Sequence, residues 1–299
     1  MLHQFRRLAA VLALSVVAAP VLAEDVTIAT AKGEVSLPLS PATVAVLDIA
    51  AIDTLTALGV TLAGVPDKLY VPYLADLAGK VPVMGTLFEP DLEALAALSP
   101  DLIIAGGRSS TQIEPLSQVA TTIDMTIWED VVGQGRDRIT AYGALFAKAE
   151  KAAELNATLD AKITEVKAAA SGKGRALILM SNGPKISAYG KGSRFAWLHD
   201  TLGIPEAHQN LNPETHGDAV SFEFVAEVNP DWIIVVDRSA AIGEPALASE
   251  TLDNPLVAGT AAGQKGQIVY LSSTPIYIAG GGYTSMMTTL DELLAAFTK

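Results

Sequence analysis

Three arginines of this chain stand where α/β proteins present groups to ligands. Each follows a strand-like run or sits in a glycine-rich turn: Gly106-Gly107-Arg108, Gly192-Ser193-Arg194 and Asp237-Arg238. A guanidinium fork matches delocalised oxygen anions and keeps its charge when partly desolvated, so such a set offers anion binding. Taken singly, each arginine reads as a solvated surface charge, and Asp237 is a ready partner for Arg238. Two acids stand in matching sentences, Glu93-Ala-Leu-Ala-Ala-Leu-Ser-Pro100-Asp101-Leu-Ile-Ile and Glu223-Phe-Val-Ala-Glu-Val-Asn-Pro230-Asp231-Trp-Ile-Ile, 130 residues apart. Repeats at so long a period argue for two similar lobes rather than a solenoid. A cleft between the lobes is then the first place to look for function.

Catalytic readings find little support. The run Gly190-Lys191-Gly-Ser193 lacks the spacing of a phosphate loop, Gly280-Gly-Gly282 reads as a flexible turn without the dinucleotide fingerprint, and no Gly-x-Ser-x-Gly elbow occurs. His199 and His208 have no partner at metal-ligand spacing, and Trp128, Trp197 and Trp232 read as packing residues. The Pro-Asp pairs read as helix stops that start a strand.

The elements that must position these residues alternate. A hairpin around Lys32-Gly33 is followed by strand-like runs at 43–47, 62–65, 81–84, 102–105 and 122–127, with helical segments at 49–58, 92–98 and 113–119. Strands alternating with short helices predict a parallel sheet covered on both faces. From Ala144 to Ser171 there is no Gly or Pro, which predicts one bridging helix over 144–171. A second α/β lobe follows, with strands at 176–180, 185–189, 232–236 and 268–271 and helices at 194–202, around 245–252 and at 284–297. The expected fold is therefore α/β: an N-terminal lobe over 24–143, the bridging helix, and a C-terminal lobe over 172–299.

The first residues, Met1 to Ala23, combine a basic start at Arg6-Arg7, an apolar run and a small-residue exit, which predicts a secretory signal peptide cut after Ala23. The apolar run is short for a membrane span. With no cysteine in the chain, a lipidated cysteine, disulfides and thiolate metal sites are all excluded. A periplasmic protein without a lipid anchor is expected. Loss of the leader leaves 18 basic against 33 acidic residues, a formal charge of −15, which argues against nucleic acid as a partner. An anionic small ligand remains compatible if a few arginines are gathered locally.

Against this frame, the order and spacing of Tyr189-Gly-Lys-Gly-Ser-Arg194-Phe-Ala-Trp-Leu-His-Asp, His216-Gly-Asp-Ala-Val-Ser-Phe-Glu223-Phe, Val-Val-Asp237-Arg238, Tyr270-Leu and Tyr277-Ile-Ala-Gly-Gly resemble the periplasmic ferric-siderophore-binding proteins of ABC importers. Within them, the resemblance is to the branch that binds catecholate siderophores, including linear tetradentate ones. It covers essentially the whole chain after the leader. It implies two similar α/β lobes joined by one long helix, with the ligand between them. His216 and Tyr277 resemble the pair that completes the iron sphere when the siderophore supplies only four oxygens; Fe(III) favours phenolate oxygen, and neutral imidazole is a good iron ligand. Arg108, Arg194 and Arg238 resemble the arginines that meet the anionic catecholate oxygens, with the first-lobe match the looser. Glu93 and Glu223 resemble the two glutamates, one per lobe, that dock onto the permease.

The implied protein is not an enzyme and holds no permanent cofactor. Its ligand is a Fe(III)-siderophore, its partner an ABC importer permease dimer in the inner membrane, and it acts as a monomer. The same fold could instead bind haem, a cobalamin or a hydroxamate siderophore. An exported α/β hydrolase and a sensor or adhesin domain are the readings from other classes.

Overall fold

Short runs of β-branched and aliphatic residues set the strands. The computed structural model describes residues 24–213, 216–245 and 247–299, so the expected leader lies outside the described residues. Strands β1 (Asp25–Thr30) and β2 (Gly33–Pro38) form the expected hairpin. In the first half β3 (Val44–Val46), β4 (Leu102–Ala105) and β5 (Thr122–Asp124) pair in parallel in that order. The runs at 62–65 and 81–84, expected as strands, contribute only the single parallel bridges Ala45–Gly64 and Val65–Val83 on the free side of β3.

In the second half β6 (Ala176–Asn182), β7 (Lys185–Tyr189), β8 (Asp218–Val220), β9 (Trp232–Asp237) and β10 (Ile268–Tyr270) form one sheet of order β10-β9-β6-β7-β8. Strands β10, β9 and β6 are parallel, and β7 and β8 add antiparallel strands at one edge. Every residue of β3, β4 and β9 is buried, as expected of strands covered on both faces. The halves thus share a parallel centre, and the antiparallel extension belongs to the second alone.

The two Glu…Pro-Asp segments build the same device twice. Helix Leu92–Leu98 is capped by Asp91, which accepts from the Ala94 amide at 2.9 Å, and helix Phe222–Val228 by Ser221, which accepts from the Phe224 amide at 3.3 Å. Each ends on a left-handed residue, Ser99 (φ 51°) or Asn229 (φ 44°), directly before the proline. The aspartate then does more than punctuate. Asp101 accepts from the amides of Ala42 (3.0 Å) and Thr43 (2.8 Å) at the start of β3, and Asp231 accepts from the Arg175 amide (2.9 Å) at the start of β6. Each carboxylate satisfies backbone donors at a sheet end and fixes the register of the next strand against its neighbour. The three-residue turn reverses the chain, so Glu93 and Glu223, in the first helical turns, sit at the edge where β4 and β9 deliver Arg108 and Arg238.

The bridging helix is shorter than expected. It runs over Ala149–Ala170, 22 residues and about 33 Å, and a separate helix Val131–Leu145 precedes it. Between them Ala147 takes φ of 52° and the Lys148 amide donates to the Gly143 carbonyl at 2.7 Å. No glycine or proline marks this turn, so composition alone runs the two helices together. Leu155, Leu159, Ile163 and Val166 form the buried stripe of the long helix. The core they enter is continuous from Val44 and Ile52 in the first half to Ile234 and Leu290 in the second.

The closing helix Tyr283–Phe297, assigned from sequence to the C-terminal lobe, crosses back to the first half. It packs against the long helix and against helix Ile49–Ala57. Asp53, only 1% exposed, accepts from the amides of Thr284 (2.9 Å) and Ser285 (2.8 Å) and from the Tyr73 hydroxyl (2.9 Å). A carboxylate thus meets two of the amides a helix start leaves open. The preceding glycines make this approach possible: a side chain at Gly281 would lie 2.7 Å from Ile127 Cγ2, and one at Gly282 would lie 2.5 Å from an Asp53 oxygen. The segment expected to be a flexible turn is a fixed crossing between the halves.

Candidate ligand-binding cleft

Arg108 follows β4 in a short 3-10 turn, Gly107–Gln112, and reaches across to the other half. Its guanidinium donates to the carbonyls of Tyr277 (3.0 Å) and Ile278 (3.2 Å), both in helix Ser273–Ile278. Arg194 leaves the turn closed by Ser193, whose hydroxyl donates to the Gly190 carbonyl, and also donates to the Tyr277 carbonyl at 2.8 Å. Both guanidiniums lie against the Tyr277 ring, at 5.2 Å for Arg108 and 4.4 Å for Arg194 from its centroid. Two arginines from opposite halves therefore converge on one tyrosine.

These residues wall a cavity of about 420 Å³ together with Asp48, Phe88, Trp128, Trp197 and His216. A second cavity, of about 670 Å³, opens beside it and is lined by Asn182, Lys185, Ser187, Glu223 and Arg238. Arg194, His216 and Tyr277 line both, so they form a waist between two chambers. The three arginines expected at one site are in fact divided: Arg108 lines the first chamber only, Arg238 the second only, and Arg194 both. His216 is exposed, lies two residues before edge strand β8 and lines both chambers with Tyr277.

Asp237 does not hold Arg238. Its carboxylate caps the helix Arg238–Ile242 by accepting from the Ala240 amide at 3.0 Å and accepts from the Ala248 amide at 2.6 Å, while Arg238 donates to Asn182 Oδ1 at 3.1 Å. That second bond also explains why the helix expected around 245–252 starts later, at Ala248.

The electrostatics of the first chamber are unbalanced by design of its walls. Burial pulls the pKa of Arg194 down, the Tyr277 hydroxyl opposes this and Arg108 adds to it. The Arg194 guanidinium stays charged all the same. Asp48 is the nearby acid: burial pushes its carboxyl up, while the Ala51 amide and the Arg108 charge pull it down. It caps helix Ile49–Ala57 with one oxygen, at 2.8 Å from the Ala51 amide.

Sequence reading did not single out Asp48, and it misread Trp128. That indole is 45% exposed on the first chamber, with the Arg194 guanidinium 5.8 Å from its ring. Trp232, by contrast, packs as expected, edge-on to Phe297. The set-aside histidines have structural partners: His199 is buried 2.8 Å from the Ile204 carbonyl and His208 packs on Phe224. Among the described residues no cluster of three or more His, Asp or Glu side chains could hold a metal by itself, and no helix is long and apolar enough to cross a membrane. Glu93 lies outside both chambers, and Glu223 lies at the rim of the second.

Two α/β halves that meet at an arginine-rich cleft have the form of a solute-binding protein. The chain belongs to the periplasmic binding protein family, whose model matches residues 44–275. This is a family of binding proteins, which sets the hydrolase reading aside. The petrobactin-binding protein YclQ of Bacillus subtilis is 34% identical over 88% of this chain and 84% of its own length. Its crystal structure superposes with a TM-score of 0.86 at 33% identity, covering 92% of this chain and 99% of that one. The ferric-anguibactin-binding protein FatB of Vibrio anguillarum is 30% identical over 89% of this chain and 85% of its own. The periplasmic catecholate-siderophore binding protein VctP of Vibrio cholerae superposes with a TM-score of 0.85 at 29% identity, over 91% of this chain and 100% of that one.

Proposed function

We propose that the protein captures an anionic ferric siderophore of the catecholate class in the cleft and delivers it to an ABC importer. The observation that carries this reading is the convergence of Arg108 and Arg194 on Tyr277, beside His216, in one cavity walled by both halves. Relatives that bind petrobactin, ferric anguibactin and a catecholate siderophore, each aligned over most of the chain, support it. A chelator giving iron four oxygens leaves two positions open, which the His216 imidazole and the Tyr277 phenolate would fill. Arg108, Arg194 and Arg238 would balance the chelate's negative charge through charge-assisted hydrogen bonds. Iron and siderophore are cargo, released at each cycle.

Glu93 and Glu223 are exposed in the first turns of equivalent helices, one in each half, which suits them to meet cationic groups on the two subunits of a permease dimer. The protein acts as a monomer in the periplasm, after cleavage behind Ala23, and offers no cysteine for a lipid anchor. The test is spectroscopic. Adding protein to a ferric bis-catecholate shifts its visible charge-transfer band and tightens binding, and His216→Ala with Tyr277→Phe removes the shift. An unchanged spectrum and affinity in that double variant would defeat the coordination role.

A further inference from the structure

The two chambers are chemically unlike. Phe88, Trp128 and Trp197 give the first an aromatic wall, suited to a catechol ring. The second is larger and is bordered by two cations, Arg238 and Lys185. Among the described residues neither has a carboxylate partner: Arg238 is held only by the Asn182 amide oxygen, and the exposed Lys185 ammonium makes no ion pair. Elsewhere on this acidic chain lysines and arginines do find acids, as in Arg136–Asp160 at 2.9 Å and Lys162–Asp291 at 3.0 Å. Glu223, at the same rim, makes no ion pair with either.

Oxygens bound to iron cluster around the metal, at the waist formed by Arg194, His216 and Tyr277 in the ferric-catecholate reading on which this inference rests. Cations that line the second chamber and are absent from the first face a different part of the ligand. We propose that Lys185 and Arg238 form a subsite for a carboxylate that is not coordinated to iron, so that the preferred ligand is an elongated chelate with a catecholate end in the first chamber and a carboxylate-bearing arm in the second. Lysine supplies a point charge and arginine a planar fork, a combination that recognises a carboxylate at modest geometric cost.

Two synthetic ferric bis-catecholates of equal length test this, one with a free carboxylate on its linker and one with the methyl ester in its place. Affinities come from tryptophan quenching of the full mature protein. Wild type binds the carboxylate form about five-fold tighter, the effect of one partly exposed charge-assisted contact. Lys185→Gln brings the ratio toward one and Lys185→Glu inverts it. Lys299→Glu, the same change in net charge outside both chambers, keeps the wild-type ratio. Equal affinities in wild type, or a ratio insensitive to Lys185→Glu, overturn the subsite and leave the ferric-catecholate reading standing. Failure of wild type to bind either chelate overturns both.

Discussion

Replacing Asp53 with alanine removes the acceptor that pins the closing helix to the first half. Three donors then remain in a site that is 1% exposed: the Thr284 and Ser285 amides and the Tyr73 hydroxyl. Each buried donor without a partner costs about 1–3 kcal/mol. Against that, the carboxylate no longer has to be buried. Desolvation raises its pKa, and the bonds from Thr284, Ser285 and Tyr73 lower it only in part. The net loss is therefore smaller than the sum, about 3–4 kcal/mol, or roughly 10 °C in Tm for a chain of this size. Tyr73→Phe alone removes one bond and leaves the other two, costing about 1 kcal/mol. In the double variant no tyrosine hydroxyl is orphaned and the shared bond is lost only once, so it is about 2 kcal/mol more stable than additivity requires. Urea unfolding at pH 7 measures all four proteins, with equal m-values as the condition for comparing them. An Asp53→Ala protein within about 0.5 kcal/mol of wild type, or strict additivity with Tyr73→Phe, would refute the pinning role.

Three other outcomes follow from the geometry. A methyl group at Gly143 would run into the Ala152 Cβ where the two long helices meet, so Gly143→Ala costs about 1–3 kcal/mol despite its gain in helix propensity, and adding Ala152→Gly restores most of it in the same urea assay. Burial lowers the pKa of His199, so below its ordinary value of 6.5 the unfolded chain takes up a proton that the folded one refuses. Stability falls as pH drops from there, by up to about 1.4 kcal/mol per unit, and His199→Gln flattens that slope between pH 6.5 and 5. Glu93→Ala leaves chelate affinity unchanged, because Glu93 lies outside both chambers, and lowers ligand-stimulated ATPase activity of the reconstituted importer; undiminished ATPase would remove Glu93 from the docking surface.

Much of the fold was readable because periodicity and punctuation agree. The alternation of strands and helices held for β3, β4, β6 and β9, and the matched Glu…Pro-Asp segments became matched helices with matched staples. What escaped was decided by contacts distant in sequence. Ala147 turns the chain with φ of 52° and no glycine to announce it, because the two helices it joins pack side by side. Trp128 was read as packing because nothing in its neighbours says that Arg194, far along the chain, lies beside it. Asp48 drew no notice in the sequence, because its place in the first chamber depends on where Arg108 falls.

The sequence by itself determined the two-part α/β plan, the arginines delivered at strand ends and the resemblance that pointed to a siderophore, since all of these rest on local pattern and order. Only the tertiary structure decided that Arg108 and Arg194 meet on Tyr277, that Arg238 stands apart with Lys185, and that the last helix returns to Asp53. Those outcomes depend on side chains brought together by packing, which no local pattern encodes.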